Sequence, residues 1–186
     1  MTPTITYTEE LIARCRNGEQ RAQLEIYNKY YKAMYNTALR IVNDTAEAED
    51  IMQEAFINAF NKIESFQGKS TFGAWLKKIV VNLSINSYKK ESKYRKVSYN
   101  DEFRNETEDT GGIDPQEEAT NSKVQKVIHV MKNLKENYRV VLSLHLIEGY
   151  DYDEICEILK ISAANCRTTI SRAKEQLRTK LLENEN

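Results

Sequence analysis

Phe72-Gly73-Ala74-Trp75-Leu76-Lys77-Lys78-Ile79-Val80-Val81-Asn82-Leu83 decides the fold class of this chain. Phe72, Trp75, Leu76, Ile79, Val80 and Leu83 fall at i, i+3, i+4, i+7, i+8 and i+11, which is a complete apolar stripe of an α-helix. The spacing predicts a helix from about Thr71 to Lys90 with that stripe in the core. A second face carries Lys78, Asn82, Asn86 and Lys89. Lysines neutralise phosphates and amides bond base edges. A helix that only needed solubility would more often mix Glu with Lys, so this face points toward nucleic acid.

The surroundings of that helix are strongly polarised. From Gln67 to Val97 stand eight bases (Lys69, Lys77, Lys78, Lys89, Lys90, Lys93, Arg95, Lys96) and one acid, Glu91, a local charge of +7. From Ser98 to Thr120 stand one base, Arg104, and eight acids (Asp101, Glu102, Glu106, Glu108, Asp109, Asp114, Glu117, Glu118), a local charge of −7. The whole-chain charge of −1 conceals this opposition. A +7 patch attracts polyanions; the plain alternative is two solvated segments that neutralise each other. The acidic stretch holds Gly111-Gly112 and Asp114-Pro115, is poor in large apolar residues and reads as a linker. A chain of 186 residues has room for one medium domain or two small ones. The division read from the sequence is a domain over 1–95, a linker over 96–120 and a domain over 121–186.

Upstream, Thr8 is placed to cap a short helix through Arg16, ended by Asn17-Gly18. A long helix follows from about Glu19 to Val42, with Tyr27, Tyr31, Met34, Ala38 and Ile41 as its core stripe. Asp44 with Glu47 has the form of a capping box. It opens a helix from about Thr45 to Ser65 that buries Ala48, Ile51, Met52, Ala55, Phe56, Ala59 and Ile63. The exposed side of that helix carries Glu47, Asp50, Gln53, Glu54 and Asn58, and Gln67-Gly68-Lys69-Ser70 is a polar loop.

Downstream, Asp114-Pro115-Gln116-Glu117 reads as a cap, a proline at the first helical position and a helpful Glu. The helix it opens buries Val124, Val127, Ile128 and Met131. Another, about Glu136 to Ile147, buries Val141, Leu142 and His145 or Leu146. Asp151 and Glu154 form a further capping box for a short helix ending near Leu159. Lys160-Ile161 turns, and Ser162 caps a last helix from about Ala163 to Leu182 with Cys166, Ile170, Ala173, Leu177 and Leu181 inward. This is a helix-turn-helix pattern. Asn165, Arg167, Thr168, Ser171, Arg172 and Lys174 are left outside, which suits a helix whose first turns enter the major groove; an ordinary charged surface helix is the plain alternative. Two prolines and six glycines complete an all-α reading: two small helical domains joined by an acidic linker.

Several classes are disfavoured. The start of the chain has neither a basic region nor an apolar core, so it does not read as a signal peptide. No run approaches the roughly 18 apolar residues of a membrane span, and the expectation is a soluble, cytoplasmic protein. Cys15, Cys156 and Cys166 lack paired spacing and read as buried thiols. His129 and His145 share no local ligand spacing. No nucleophile, base and acid set and no metal cluster emerges, so neither enzyme, metal nor cofactor is expected.

The residues also carry a family resemblance. Ala48 to Phe56, then Phe66 to Phe72, then Trp75-Leu76 and Asn82, resemble region two of bacterial sigma factors. Glu148-Gly149-Tyr150 through Asp153-Glu154-Ile155, with Ile161-Ser162 and Arg172-Ala173, resembles their region four. Having only these two regions is similar to the extracytoplasmic-function (ECF) class, and the resemblance spans about Leu24 to Lys90 and Leu134 to Leu181. It implies that Asp50, Gln53 and Glu54 dock on the clamp helices of core RNA polymerase. It implies that Gln67, Lys69, Ser70, Thr71, Lys78, Asn82, Asn86 and Lys89 open promoter DNA at the minus-ten element and hold a flipped base. It implies that Arg167, Thr168, Ser171 and Arg172 read the minus-thirty-five element, and that the acidic linker threads the RNA exit path. An anti-sigma factor that hides these faces is a further implied partner.

The chain departs from the family's pattern in places. Leu134-Lys135 stands where Leu-Pro is frequent, which puts the start of that helix in doubt. Thr169, Asn165, Val81 and Asn86 replace frequent residues, and Cys156 and Cys166 replace small or β-branched ones; these bear on which promoter is read. Two rival readings remain at this level: an operator-binding regulator that does not join polymerase, and a helical adaptor that binds no DNA.

Overall fold

The computed structural model describes residues 7–97 and 118–183. All regular structure among them is helical: α1 (Tyr7–Arg16), α2 (Gln20–Val42), α3 (Thr45–Asn61), α4 (Phe72–Val97), α5 (Glu118–Lys132), α6 (Glu136–Leu142), α7 (Tyr152–Leu159) and α8 (Ala163–Glu183). The chain forms two compact units, Met1–Tyr88 and Lys89–Asn186.

In the first unit α1 and α3 both pack on α2. Helix α1 ends at Gly18, whose φ of +76 suits a residue without Cβ. Its amide bonds the Cys15 carbonyl at 2.9 Å while the Glu19 amide reaches the Arg14 carbonyl at 3.1 Å, the double bond of a Schellman stop. Helix α2 ends on Asn43, also left-handed at φ +57. Every residue expected to be buried on α3 is buried, together with Ile63 in the 3₁₀ turn Ile63–Ser65. Removing a Leu, Ile or Phe side chain of this kind from water contributes about 1.5–3 kcal/mol. An aromatic cluster closes the unit: Phe66 packs against Phe72 at 5.6 Å and Trp75 at 5.4 Å, and Tyr30 meets Phe72 at 5.7 Å.

The structure corrects five readings of this half. Thr8 lies inside α1 and does not cap it; its hydroxyl accepts from Lys29 Nζ at 2.6 Å. Tyr31 is 43% exposed, because it stacks on Tyr27 at the rim of α2 and the core turns instead on Ile26, Met34, Ala38 and Ile41. Asp44 accepts from the Glu47 amide at 2.9 Å, but the Glu47 carboxylate accepts from Ser87 Oγ at 2.5 Å, so the cap is one-sided. Helix α4 continues past Lys90 to Val97, since Lys, Glu, Ser and Tyr extend it without a Gly or Pro to stop it. Its buried face is also wider than the stripe, taking in Val81, Ser84 and Ile85, while Trp75, Ile79 and Leu83 are half-buried.

In the second unit α5, α6 and α7 all pack on α8. Six successive residues, Arg139 to Leu144, are buried, which makes α6 its central helix. The α-helix gives way to a π turn over Ser143–Ile147. That wider turn rotates the later side chains, so Leu144 is buried, His145 is half-buried and Leu146 is 48% exposed, against the expectation for His145 or Leu146. On α5 the core is likewise shifted toward the C-terminal end: Val130 and Met131 are buried, Val127 and Ile128 half-buried, and Val124 is 50% exposed. Lys135 precedes α6 with φ −53, a value proline would also adopt, so the helix starts there without the proline. The cap expected at Asp114-Pro115 lies outside the described residues.

Candidate functional site

Three surfaces follow from what the cores leave out. On α3 the buried stripe turns Asp50, Gln53 and Glu54 to solvent. Gln53 Nε2 donates to Glu49 Oε1 at 3.4 Å and Asn58 Nδ2 to Glu54 Oε1 at 3.5 Å, weak contacts that leave the carboxylates available. One turn further, Ile57 is 60% exposed. It sets an exposed apolar side chain beside this acidic face. The sequence reading passed over Ile57; its position beside the stripe and not on it was the signal.

The second surface joins the loop before α4 to one side of that helix. Gln67, Lys69, Ser70 and Thr71 are exposed, and Gly68 takes φ +69 with open space around it. Thr71 caps α4 by accepting from the Ala74 amide at 3.2 Å. At the other end of the loop the Phe66 ring is buried and its carbonyl accepts from Arg16 Nη2 at 2.6 Å. Lys78, Asn82 and Asn86 are exposed along α4, and Lys89 is half-buried. Lys78, Asn82 and Asn86 therefore form one amide-and-ammonium row that continues from the loop.

The third surface is the outside of α8. The turn before it is built from Lys160 in the left-handed region (φ +57) and from Ser162, whose hydroxyl accepts from the Asn165 amide at 3.2 Å. Arg167, Thr168, Ser171 and Arg172 are all exposed on the first turns of the helix. Thr169 Oγ1 donates to Asn165 Oδ1 at 3.1 Å, so these two engage each other. Ser171 and Arg172 also line a cleft of about 270 Å³ with Lys135, Tyr138, Glu175 and Gln176. Lys135 and Tyr138 escape a sequence reading because only tertiary packing brings them to α8. Behind this outer face Cys166 is buried, and burial pushes its thiol up to about 11, so it stays a protonated core group.

Among the described residues no group of three His, Cys, Asp or Glu side chains is arranged to hold a metal ion, and no helix is long and apolar enough to cross a membrane.

Comparison with known proteins places both halves. The Sigma-70 region 2 family matches residues 26–94, and the Sigma-70, region 4 family matches residues 125–177. The ECF RNA polymerase sigma factor SigW of Bacillus subtilis is 32% identical over 183 residues, covering 91% of this chain and 94% of that protein. The ECF RNA polymerase sigma-E factor of Escherichia coli is 27% identical over 177 residues, covering 92% of each. Among solved structures, the sigma factor RpoE from Bartonella quintana, in complex with the anti-sigma factor NepR, has a similar fold, with a TM-score of 0.54 at 20% identity over 87% of this chain and 97% of that one. With region 2 and region 4 in order and relatives of one kind matching it nearly end to end, the chain belongs to the ECF class of RNA polymerase sigma factors.

Proposed function

We propose a division of labour among the three surfaces of this transcription initiation factor. As a member of its family it is not an enzyme; it binds core RNA polymerase and directs it to promoters, and catalysis belongs to the polymerase. Asp50, Gln53 and Glu54 dock on core polymerase, with Ile57 as an apolar anchor. Gln67, Lys69, Ser70, Thr71, Lys78, Asn82, Asn86 and Lys89 open and hold the minus-ten element, where contacts to the single strand offset the few kcal/mol of flipping a base. Arg167, Thr168, Ser171 and Arg172 read the minus-thirty-five element in the major groove. The working boundaries are 1–95 for the first domain, 96–120 for the acidic linker and 121–186 for the second domain.

The observation that carries this reading is that three buried stripes leave three exposed faces of distinct chemistry: acidic-amide on α3, basic-amide on the loop and α4, and arginine with hydroxyls on α8. An operator-only regulator has no use for the first of them. The test is co-migration with purified core polymerase. Wild type is expected to bind, and Gln53→Ala/Glu54→Ala, folded by circular dichroism, is expected to lose binding. A folded Gln53→Ala/Glu54→Ala variant that co-migrates as wild type does would overturn the assignment of the α3 face, and wild type that fails to bind would demote the reading to an operator-binding regulator or an adaptor.

The factor works in the cytoplasm, where its polymerase is. A relative of similar fold is held by an anti-sigma factor, and this chain is expected to have an inhibitory partner of that class. Affinity capture at native expression that recovers polymerase and never an inhibitor would count against that partner.

A further inference from the structure

We propose that Arg16 is a positioning residue for promoter reading: from the last turn of α1 it sets the direction in which the loop Gln67–Thr71 leaves the core. The inference rests on the assignment of that loop to the minus-ten element. The loop has little packing of its own. Gln67 through Thr71 are exposed, no heavy atom beyond its own chain neighbours lies within 4 Å of where a Gly68 Cβ would sit, and a cleft of about 270 Å³ separates the loop from α1. Its course therefore depends on how its two ends are held. At the C-terminal end Thr71 caps α4 and Phe72 is buried. At the N-terminal end the Phe66 ring is held by Phe72 and Trp75, but a held ring does not fix the peptide plane that follows it. That plane is fixed by Arg16, whose Nη2 donates to the Phe66 carbonyl at 2.6 Å.

Arg16 is itself well placed for this. The Schellman stop at Gly18 ends α1 directly after it, and the neighbouring Cys15 is buried. Glu64, on the turn leading into the loop, lies 3.8 Å from Arg16 Nε, so the guanidinium spans two points of the same segment. The Arg16 and Glu64 side chains are 37% and 76% exposed, and an ion pair so wetted adds little to stability. A Phe66 carbonyl released by substitution is free to bond water. The contact therefore matters more for loop geometry than for folding.

The experiment uses the full chain assembled with core polymerase and a promoter set in which each minus-ten base, and each minus-thirty-five base, is replaced in turn. R16M is expected to co-migrate with core polymerase as wild type does. It should lose about fivefold of the discrimination at the base held by the loop, the worth of one hydrogen bond, with minus-thirty-five penalties unchanged. R16K, which still presents a cationic donor, should regain part of it. An R16M profile identical to wild type, or a loss spread evenly over all positions, overturns the proposal. If R16M melts early, R16K is scored by the same profile, and an even loss there overturns it too. A triple variant, K69A/S70A/T71A, that leaves the minus-ten profile untouched would overturn the loop assignment itself, a result separable from the Arg16 outcome.

Discussion

Asp151 and Glu154 satisfy each other's backbone at the start of α7: the Asp151 carboxylate accepts from the Glu154 amide at 2.8 Å, and the Glu154 carboxylate accepts from the Asp151 amide at 2.9 Å. This reciprocal cap orients the first helix of the helix-turn-helix, with both carboxylates at the positive end of its dipole. Asp151→Ala removes the acceptor of the Glu154 amide and is expected to lower stability by about 1 kcal/mol, within the 0.5–2 range of cap removal. For a unit of this size that is a fall in Tm of roughly 4–8 °C, read by thermal melting. An unchanged Tm would mean that the cap does not hold α7.

Lys160 ends α7 in the left-handed region at φ +57, where its own amide bonds the Cys156 carbonyl. A residue with a Cβ costs roughly 1–2 kcal/mol there, and glycine avoids that cost at the expense of more freedom in the unfolded chain. Lys160→Gly is expected to raise stability by about 0.5–1 kcal/mol at this left-handed cap. Chemical denaturation should show a higher midpoint at constant slope.

Arg14 grips Glu19 with two bonds, Nε to Oε2 at 2.8 Å and Nη2 to Oε1 at 2.5 Å, across the turn from α1 to α2. The Arg14 hydrogen bond holds the Glu19 carboxyl below the ordinary glutamate range. A folded pKa that is depressed contributes stability above the unfolded pKa and loses it as pH falls through the folded value. Wild type should therefore melt above Glu19→Gln near neutral pH, and the gap should close as pH drops below the ordinary glutamate range. The pair is open to solvent, so salt should narrow the gap at any pH. A gap that persists in acid would assign the effect of the substitution to something other than this charge.

How legible each element was depended on how many sides it buries. Helix α3 packs through one face, so its period alone names every buried residue from Ala48 to Ala59. Helix α4 buries Val81, Ser84 and Ile85 beside its stripe, and the six residues Arg139 to Leu144 are buried in a row across α6 and the start of its π turn; neither follows from a single 3.6-residue stripe. The exposed faces were readable by subtraction, since a polar residue off a stripe has little choice but solvent. Arg16 at the loop, and Lys135 and Tyr138 beside Arg172, were not, because they come from other helices and meet the site only through tertiary packing. Of the three cysteines expected to be buried thiols, Cys15 and Cys166 are buried and Cys156 is only half-buried.

Arg167 and Arg172 make the last prediction, because both are exposed on α8 in different settings. Arg167 is exposed near the helix start; Arg172 is also exposed but borders the cleft shared with Lys135, Tyr138 and Glu175. An arginine bidentate to guanine is worth about 1–3 kcal/mol of discrimination and cannot be replaced by lysine without losing the fork. An arginine on a phosphate loses affinity evenly over all sequences and lowers the salt slope by about one. Arg167→Ala is expected to behave as the first kind, relaxing the preference at one minus-thirty-five base pair by roughly 5- to 150-fold, with Arg167→Lys equally relaxed. Arg172→Ala, on the cleft that Lys135 also lines, is expected to behave as the second kind, and Arg172→Lys should restore most binding. Holoenzyme binding to promoters with single minus-thirty-five substitutions, at two or more salt concentrations, separates the two. If both alanine variants bind every promoter as wild type does, α8 is not the minus-thirty-five reader.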